Sequence, residues 1–313
     1  MNIVQNILKY DKQEETAITI GTFDGVHIGH RMILERLISH TENTPLKSTL
    51  ITFFPHPRIV LQKDSDIKLL TTIDEKTKIL ENLGLDQLIV HPFTKEFSRL
   101  SATEFVRDLL VNKLKAKKIV IGYDHRFGRN RNANINDLIT FGSTFGFAVD
   151  EIPAQEIDEI SVSSTKIRRA LEEGDIETAN AYLGYPYMLT GVVKKGKGLG
   201  RQLNFPTANI FIEESYKLIP TNGVYVVNAE INGTLVSGMM NIGHNPTVND
   251  TQNASIRGNI EVHFFDFDQN LYDQTIQINI LHRIRDERKF DSVEALKTQL
   301  TKDKETSRQF LSS

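Results

Sequence analysis

AITIGTFDGVHIGH, residues 17–30, runs from a β-branched apolar stretch through a glycine-bearing turn into a segment with helical spacing. That order, strand then turn then helix, repeats along the chain. Short apolar runs at 48–54 (STLITFF), 87–93 (QLIVHPF), 118–123 (KIVIGY) and 147–153 (FAVDEIP) read as further buried strands. Between them, 28–40, 74–83, 102–115 and 135–142 carry helical periodicity. Such alternation predicts a doubly wound parallel α/β sheet, with function in the loops at the carboxyl ends of the strands.

After about residue 186 the pattern changes. MLTGVVKKG, TANIFI, GVYVVNAEI, TLVSGMMNIG, IEVHFFDFD and TIQINILHRI are all strand-like, and Asn232-Gly233 is a type I′ hairpin signal. From Ser292 to about Phe310, Val293, Leu296 and Leu300 have helical spacing. The expectation is a small antiparallel β-barrel or sandwich with a C-terminal helix. The boundary falls near Tyr185-Pro186, dividing the chain into domains 1–184 and 185–313.

With 313 residues, two domains are expected. Residues 1–184 hold 23 basic and 26 acidic side chains and the remainder 14 of each, so neither part resembles a nucleic-acid or anionic-membrane surface. Cysteine is absent, which removes disulfides, thiolate nucleophiles and Cys-ligated metal sites. No signal h-region or membrane-length apolar span is read. The expectation is a cytoplasmic protein with small-molecule partners, binding neither nucleic acid nor membrane, as a monomer or weak homo-oligomer.

Within the opening stretch, the backbone N–H groups and positive helix end after the first strand favour an anion. Gly25 and Gly29 remove side chains where a nucleotide would approach. His27 and His30, three apart, share a face of the first helical turn and suit the charge on a transferring phosphoryl group. The same spacing also fits a metal pair or a solvated face, although no second close His pair supplies further ligands. Ser163, Ser164 and Thr165 read as helix-capping hydroxyls and Arg168 as a surface charge. Pro55-His56-Pro57 reads as a rigid loop.

In the second half, Gly196, Lys197, Gly198, Gly200 and Arg201 form a glycine-rich basic loop suited to covering phosphates, or a plain flexible hairpin. It lacks the GxxxxGK[ST] pattern, so a Walker-type site is excluded. Thr207 and Asn209, two apart on a strand, point to one side and offer hard oxygen ligands for Mg²⁺ held with ATP phosphates. Glu261 lies inside the apolar run IEVHFFDF, as a satisfied structural carboxylate or a functional one.

His27-Ile28-Gly29-His30 resembles the H-x-G-H of the nucleotidylyltransferase superfamily, which includes class I aminoacyl-tRNA synthetases, but no KMSKS-like loop follows. The longer string GTFDGVHIGH, with FFPHP, GYDHRFG, SSTKIR, FPTAN, NIGHNPT and IRDERKF in order, resembles the prokaryotic bifunctional riboflavin kinase/FAD synthetase family. That resemblance implies ATP-dependent phosphorylation of riboflavin to FMN by the C-terminal domain. It implies adenylylation of FMN to FAD by the N-terminal one, with Mg²⁺. It further implies Glu261 as base toward the riboflavin hydroxyl and His27 and His30 as catalytic groups. Gly21, Phe23, Asp24, Gly25, Gly29, Ser163, Ser164, Thr165 and Arg168 would bind nucleotide or phosphate, as would Gly196, Lys197, Gly198 and Arg201. Pro55, His56, Pro57, Asp124, Phe127, Arg285 and Arg288 would meet flavin. Asn204 stands where a glycine usually precedes FPTAN, and His125 where Phe is common.

Overall fold

A computed structural model describes residues 1–62, 66–153, 162–196, 200, 203–243 and 259–312. Lys197, Gly198 and Arg201, and His244 to Thr247 of NIGHNPT, lie outside the described residues. The chain packs as two compact units, Met1–Ser163 and Ser164–Ser313.

The first unit is built on a six-stranded sheet in the order β1-β4-β3-β2-β5-β6, all neighbours parallel. The strands are β1 (Asn2–Gln5), β2 (Thr16–Ile20), β3 (Lys47–Phe54), β4 (Gln87–Pro92), β5 (Ala116–Gly122) and β6 (Ala148–Ile152). All but β1 answer to the apolar runs. β1 is a half-exposed edge strand of four residues, too short to show a period. The helices are α1 (Ile28–Ser39), α2 (Pro57–Leu61), α3 (Ile73–Asn82), α4 (Ala102–Glu104), which continues as a π-helix over Phe105–Lys113, and α5 (Ile135–Phe145). Ile18, Ile51, Ile89, Ile119 and Ile121 of the strands pack with Val106, Leu110 and Leu114 in one apolar cluster. Because the sheet is parallel, the loops after β2, β3 and β5 all leave from its carboxyl edge, and these are the loops carrying GTFDGVH, PHP and YDHRFG.

The second unit begins with α6 (Ser164–Glu173) and α7 (Ile176–Leu183). A closed barrel follows, with strand order β10-β11-β8-β7-β12-β9. Its strands are β7 (Tyr187–Lys194), β8 (Ala208–Phe211), β9 (Gly223–Ile231), β10 (Thr234–Gly243), β11 (Asn259–Phe264) and β12 (Thr275–Arg285). Asn232 and Gly233 both take positive φ between β9 and β10, as the hairpin signal requires. The packing boundary lies ahead of the expected functional one because α7 belongs to the barrel. The Asn180 amide donates to the Ile280 carbonyl at 2.9 Å and accepts from Tyr187 N at 2.7 Å.

The terminal helix α8 (Val293–Ser312) covers the outside of the barrel. Leu296, Leu300 and Leu311 pack on Leu203, Phe205, Met239 and Phe265, whereas Val293 stays exposed in its first turn. Arg285 of β12 donates to both carboxylate oxygens of buried Asp303 at 2.9 and 2.6 Å. Removing one partner of such a buried pair costs about 3–5 kcal/mol.

Candidate active sites

The turn between β2 and α1 is wound tightly. Phe23 (φ 44°), Gly25 (φ 82°) and Val26 (φ 35°) all lie in the left-handed region, which a non-glycine residue occupies only when its surroundings force it. A Cβ on Gly21 would stand 2.9 Å from the Phe23 ring. His27 ends the turn as N-cap of α1, its Nδ1 accepting from His30 N at 3.4 Å. The two imidazoles stack with centroids 3.6 Å apart and planes 17° from parallel, and Phe23 lies 4.7 Å from the His30 ring. Stacked rings do not converge on a shared ion, and among the described residues no group of three His, Asp or Glu is placed to hold a metal. Burial, then the charges of His27 and Lys76, hold His30 well below its ordinary pKa, so its ring is neutral at pH 7. Its Nδ1 is buried without a hydrogen-bond partner.

Asp24 ties the turn to a remote segment. Its carboxylate accepts from Leu70 N at 3.0 and 3.1 Å and from Thr71 N at 3.3 Å. Thr71 Oγ1 in turn accepts from Gly25 N at 3.3 Å. A carboxylate that is 2% exposed and holds these amides ties the turn to the start of α3. That helix begins with a capping box between Thr72 and Glu75. One turn in, Lys76 sends its ammonium back to the Thr22 carbonyl at 2.7 Å and Thr52 Oγ1 at 3.4 Å. Burial pulls the Lys76 pKa down to about 8, against the pull of Asp24 in the other direction. No motif in the sequence marks Lys76; only the fold brings it under the turn.

After β3, His56 caps α2 by accepting from Arg58 N at 3.1 Å, with Pro57 at the first helical position and Pro55 exposed. After β5, Asp124 is exposed, while Phe127 is buried in the apolar cluster beside Phe105. Gly128 needs its positive φ and its missing side chain, since a Cβ there would lie 2.9 Å from Ala102 N. In the second unit, Thr165 is exposed at the start of α6 and Arg168 is half-buried, with Ile167, Ala170 and Leu171 facing inward. Ser163 closes the first unit and Ser164 opens α6.

In the barrel, β11 pairs antiparallel with β8 so that Glu261 faces Asn209. Thr207 lies two residues before Asn209, on the same side. Its hydroxyl reaches Glu261 Oε2 at 3.4 Å, and the Asn259 amide bonds the other carboxylate oxygen. Gly196 approaches from β7: a Cβ there would come within 2.6 Å of Asn209 Cγ. A hydroxyl, an amide oxygen and one carboxylate form a hard-oxygen donor set that fits Mg²⁺. His263, two residues along β11, is buried; its Nδ1 lies 2.9 Å from the Pro206 carbonyl and its Nε2 is buried without a partner. Of the residues expected at flavin, Arg288 is exposed, while Arg285 commits its guanidinium to Asp303.

The chain matches the family model for FAD synthetase over residues 9–166 and that for riboflavin kinase over 183–311. It is 38% identical to the bifunctional riboflavin kinase/FMN adenylyltransferase of Listeria monocytogenes, covering 94% of this chain and 91% of that one. This chain belongs to that bifunctional family. The Escherichia coli member is 34% identical, over 99% of this chain and 98% of its own. A Streptococcus pneumoniae crystal structure titled as a macrolide-efflux protein shares the fold, with a TM-score of 0.87 and 30% identity over 98% of this chain and 99% of that one. Among the described residues here, no helix is long and apolar enough to cross a membrane.

The two departures from the bifunctional family's motifs have physical readings. Asn204 takes φ 63°, the left-handed conformation that glycine supplies freely and Asn tolerates better than other side chains. His125 lies near-parallel to Phe127 at 6.2 Å, as an aromatic ring would, and burial pulls its pKa down to about 4, so it stacks as a neutral ring.

Proposed function

We propose that the chain makes FMN and then FAD, with 1–184 as the adenylylating domain and 185–313 as the kinase domain. In the kinase step, the riboflavin 5′-hydroxyl attacks the γ-phosphorus of ATP, Glu261 accepts the hydroxyl proton, and ADP leaves. Thr207 and Asn209 would hold Mg²⁺ beside the ATP phosphates, where the ion neutralises phosphate charge. The loop from Gly196 through Lys197 and Gly198 to Arg201 would cover those phosphates. Arg288 would meet flavin. Arg285 supports the site by fixing α8 through Asp303.

In the second step, an FMN phosphate oxygen attacks the α-phosphorus of another ATP and pyrophosphate leaves. The attacking oxygen is already anionic at pH 7, so the protein's contribution is position and charge stabilisation. Neutral His30, His27 and the positive N-terminal end of α1 would stabilise the phosphate charge. The motif alone supports phosphate roles for Ser163, Ser164, Thr165 and Arg168, and flavin roles for Pro55, His56, Pro57 and Asp124. Phe127 would act from beneath the loop as its packed base. With it we propose a cytoplasmic location and a monomer or weak homo-oligomer.

The observation that carries the two-step reading is that each unit contains its own cluster, His27 with His30 in one and Thr207, Asn209 and Glu261 in the other. Incubation with riboflavin and MgATP, followed by chromatography over time, should give FMN first and FAD after it. Unchanged riboflavin overturns the reading.

A further inference from the structure

β8 ends as a hydrogen-bonding partner of β11 at the pair Val262↔Ala208. Two residues further back stands Pro206, beyond the last pair of the ladder. Its carbonyl is met by a side chain, the His263 ring, at 2.9 Å through Nδ1. A carbonyl only accepts, so Nδ1 must carry the proton, and in the neutral ring Nε2 is a bare lone pair. That lone pair is buried with no partner. The ring is held edge-on by Phe205 at 5.2 Å and Phe265 at 5.8 Å, both part of the patch under α8.

Side chains two apart on a strand share a face, so His263 and Glu261 project from the same side of β11. Thr207, joined to Glu261, follows directly on the Pro206 carbonyl that His263 holds. We propose that His263 is a positioning residue for phosphoryl transfer: it fixes the Pro206–Thr207 peptide and thereby aligns the Thr207 hydroxyl with Glu261. It supplies a donor to a carbonyl that lies beyond the last paired residues of β8 and β11, at the position where the strand must be held in register. This rests on the kinase reading of the Thr207, Asn209 and Glu261 cluster.

The test uses the full chain and three substitutions. Asn can place an N–H where Nδ1 stands, whereas Gln places its amide where Nε2 stands. His263→Ala should lower FMN formation per unit of MgATP (kcat/KM for MgATP) by about tenfold to a hundredfold, as loss of a supporting hydrogen bond does at other ligand-holding sites. The KM for riboflavin should stay unchanged. His263→Asn should recover most of the loss and His263→Gln should not. FAD formation from supplied FMN should be unaffected in all three and reports folding of the first unit; a thermal melt reports the barrel. Equal deficits in the Asn and Gln variants, or no deficit in the Ala variant, overturn the proposal. If the Ala variant fails to fold, the Asn and Gln variants decide it together with ¹⁵N–¹H spectra of the ligand-free wild-type protein. A proton on Nε2 with a bare Nδ1 in those spectra overturns it. A wild-type chain that makes no FMN defeats the kinase reading instead, and the spectra separate the two failures.

Discussion

On the proposed reading, the two units solve the same problem, holding a phosphate near a charged or polar group, in opposite ways. In the parallel-sheet unit the key side chains are three residues apart and are presented by a strained turn leading into a helix. In the barrel, Thr207 and Glu261 are 54 residues apart and meet only because β8 and β11 pair in one register. The first arrangement stores its precision in local backbone conformation, at a cost of order 1–3 kcal/mol for each unfavourable φ. The second stores it in strand pairing, where a slip by one residue would turn every side chain to the other face. A turn can therefore be damaged by one side chain, whereas a ladder site depends on whatever fixes its register.

The largest expected effect breaks the barrel site alone. Glu261→Gln keeps the shape beside Thr207 and Asn259 but removes the proposed base, so FMN formation should fall by about 10²–10⁴. FAD formation from supplied FMN should continue, by chromatographic assay. His30→Ala should do the converse, with FAD formation down by about 10²–10³ and FMN formation intact. Loss of both activities in either variant, in a protein that still melts cooperatively, would mean that the clusters are not independent sites.

The same contrast explains what could be read in the chain. GTFDGVHIGH was legible because its site is contiguous: strand, turn and helix cap follow one another and the histidine spacing is a helical spacing. The barrel's strands were legible from alternation, and Asn232-Gly233 made β9 and β10 neighbours, but the other pairings were not legible. Glu261 reads from sequence as a structural or a functional carboxylate, and the register that puts Asn209 opposite it leaves no local pattern. The structural contacts of Asp24 were not legible, because its partners Leu70 and Thr71 come from a segment 46 residues away. The Asp303 pair of Arg285 was hidden in the same way, because Asp303 reaches it from a helix that begins after the motif ends. Side chains whose partners are remote leave no local pattern.

Lys76 tests how local the first site is. Its folded pKa is about 8 against an ordinary 10.5, because burial disfavours the ammonium. Below pH 8 both folded and unfolded chains hold the proton, and the folded state bears the full burial penalty. Between about pH 8 and 10.5 the unfolded chain keeps the proton that the folded chain has lost, so this residue makes stability rise with pH. The gain across that window is on the order of 3 kcal/mol, and above it the contribution is constant. Lys76→Met should remove that rise, so that the difference in unfolding free energy between wild type and variant grows through the window in denaturant titrations. The slope is the informative quantity, because lost bonds to the Thr22 carbonyl and Thr52 shift the whole curve without tilting it. A difference that stays flat with pH would mean that Lys76 is not desolvated beneath the turn, and the histidine site would then be as local as its sequence suggests.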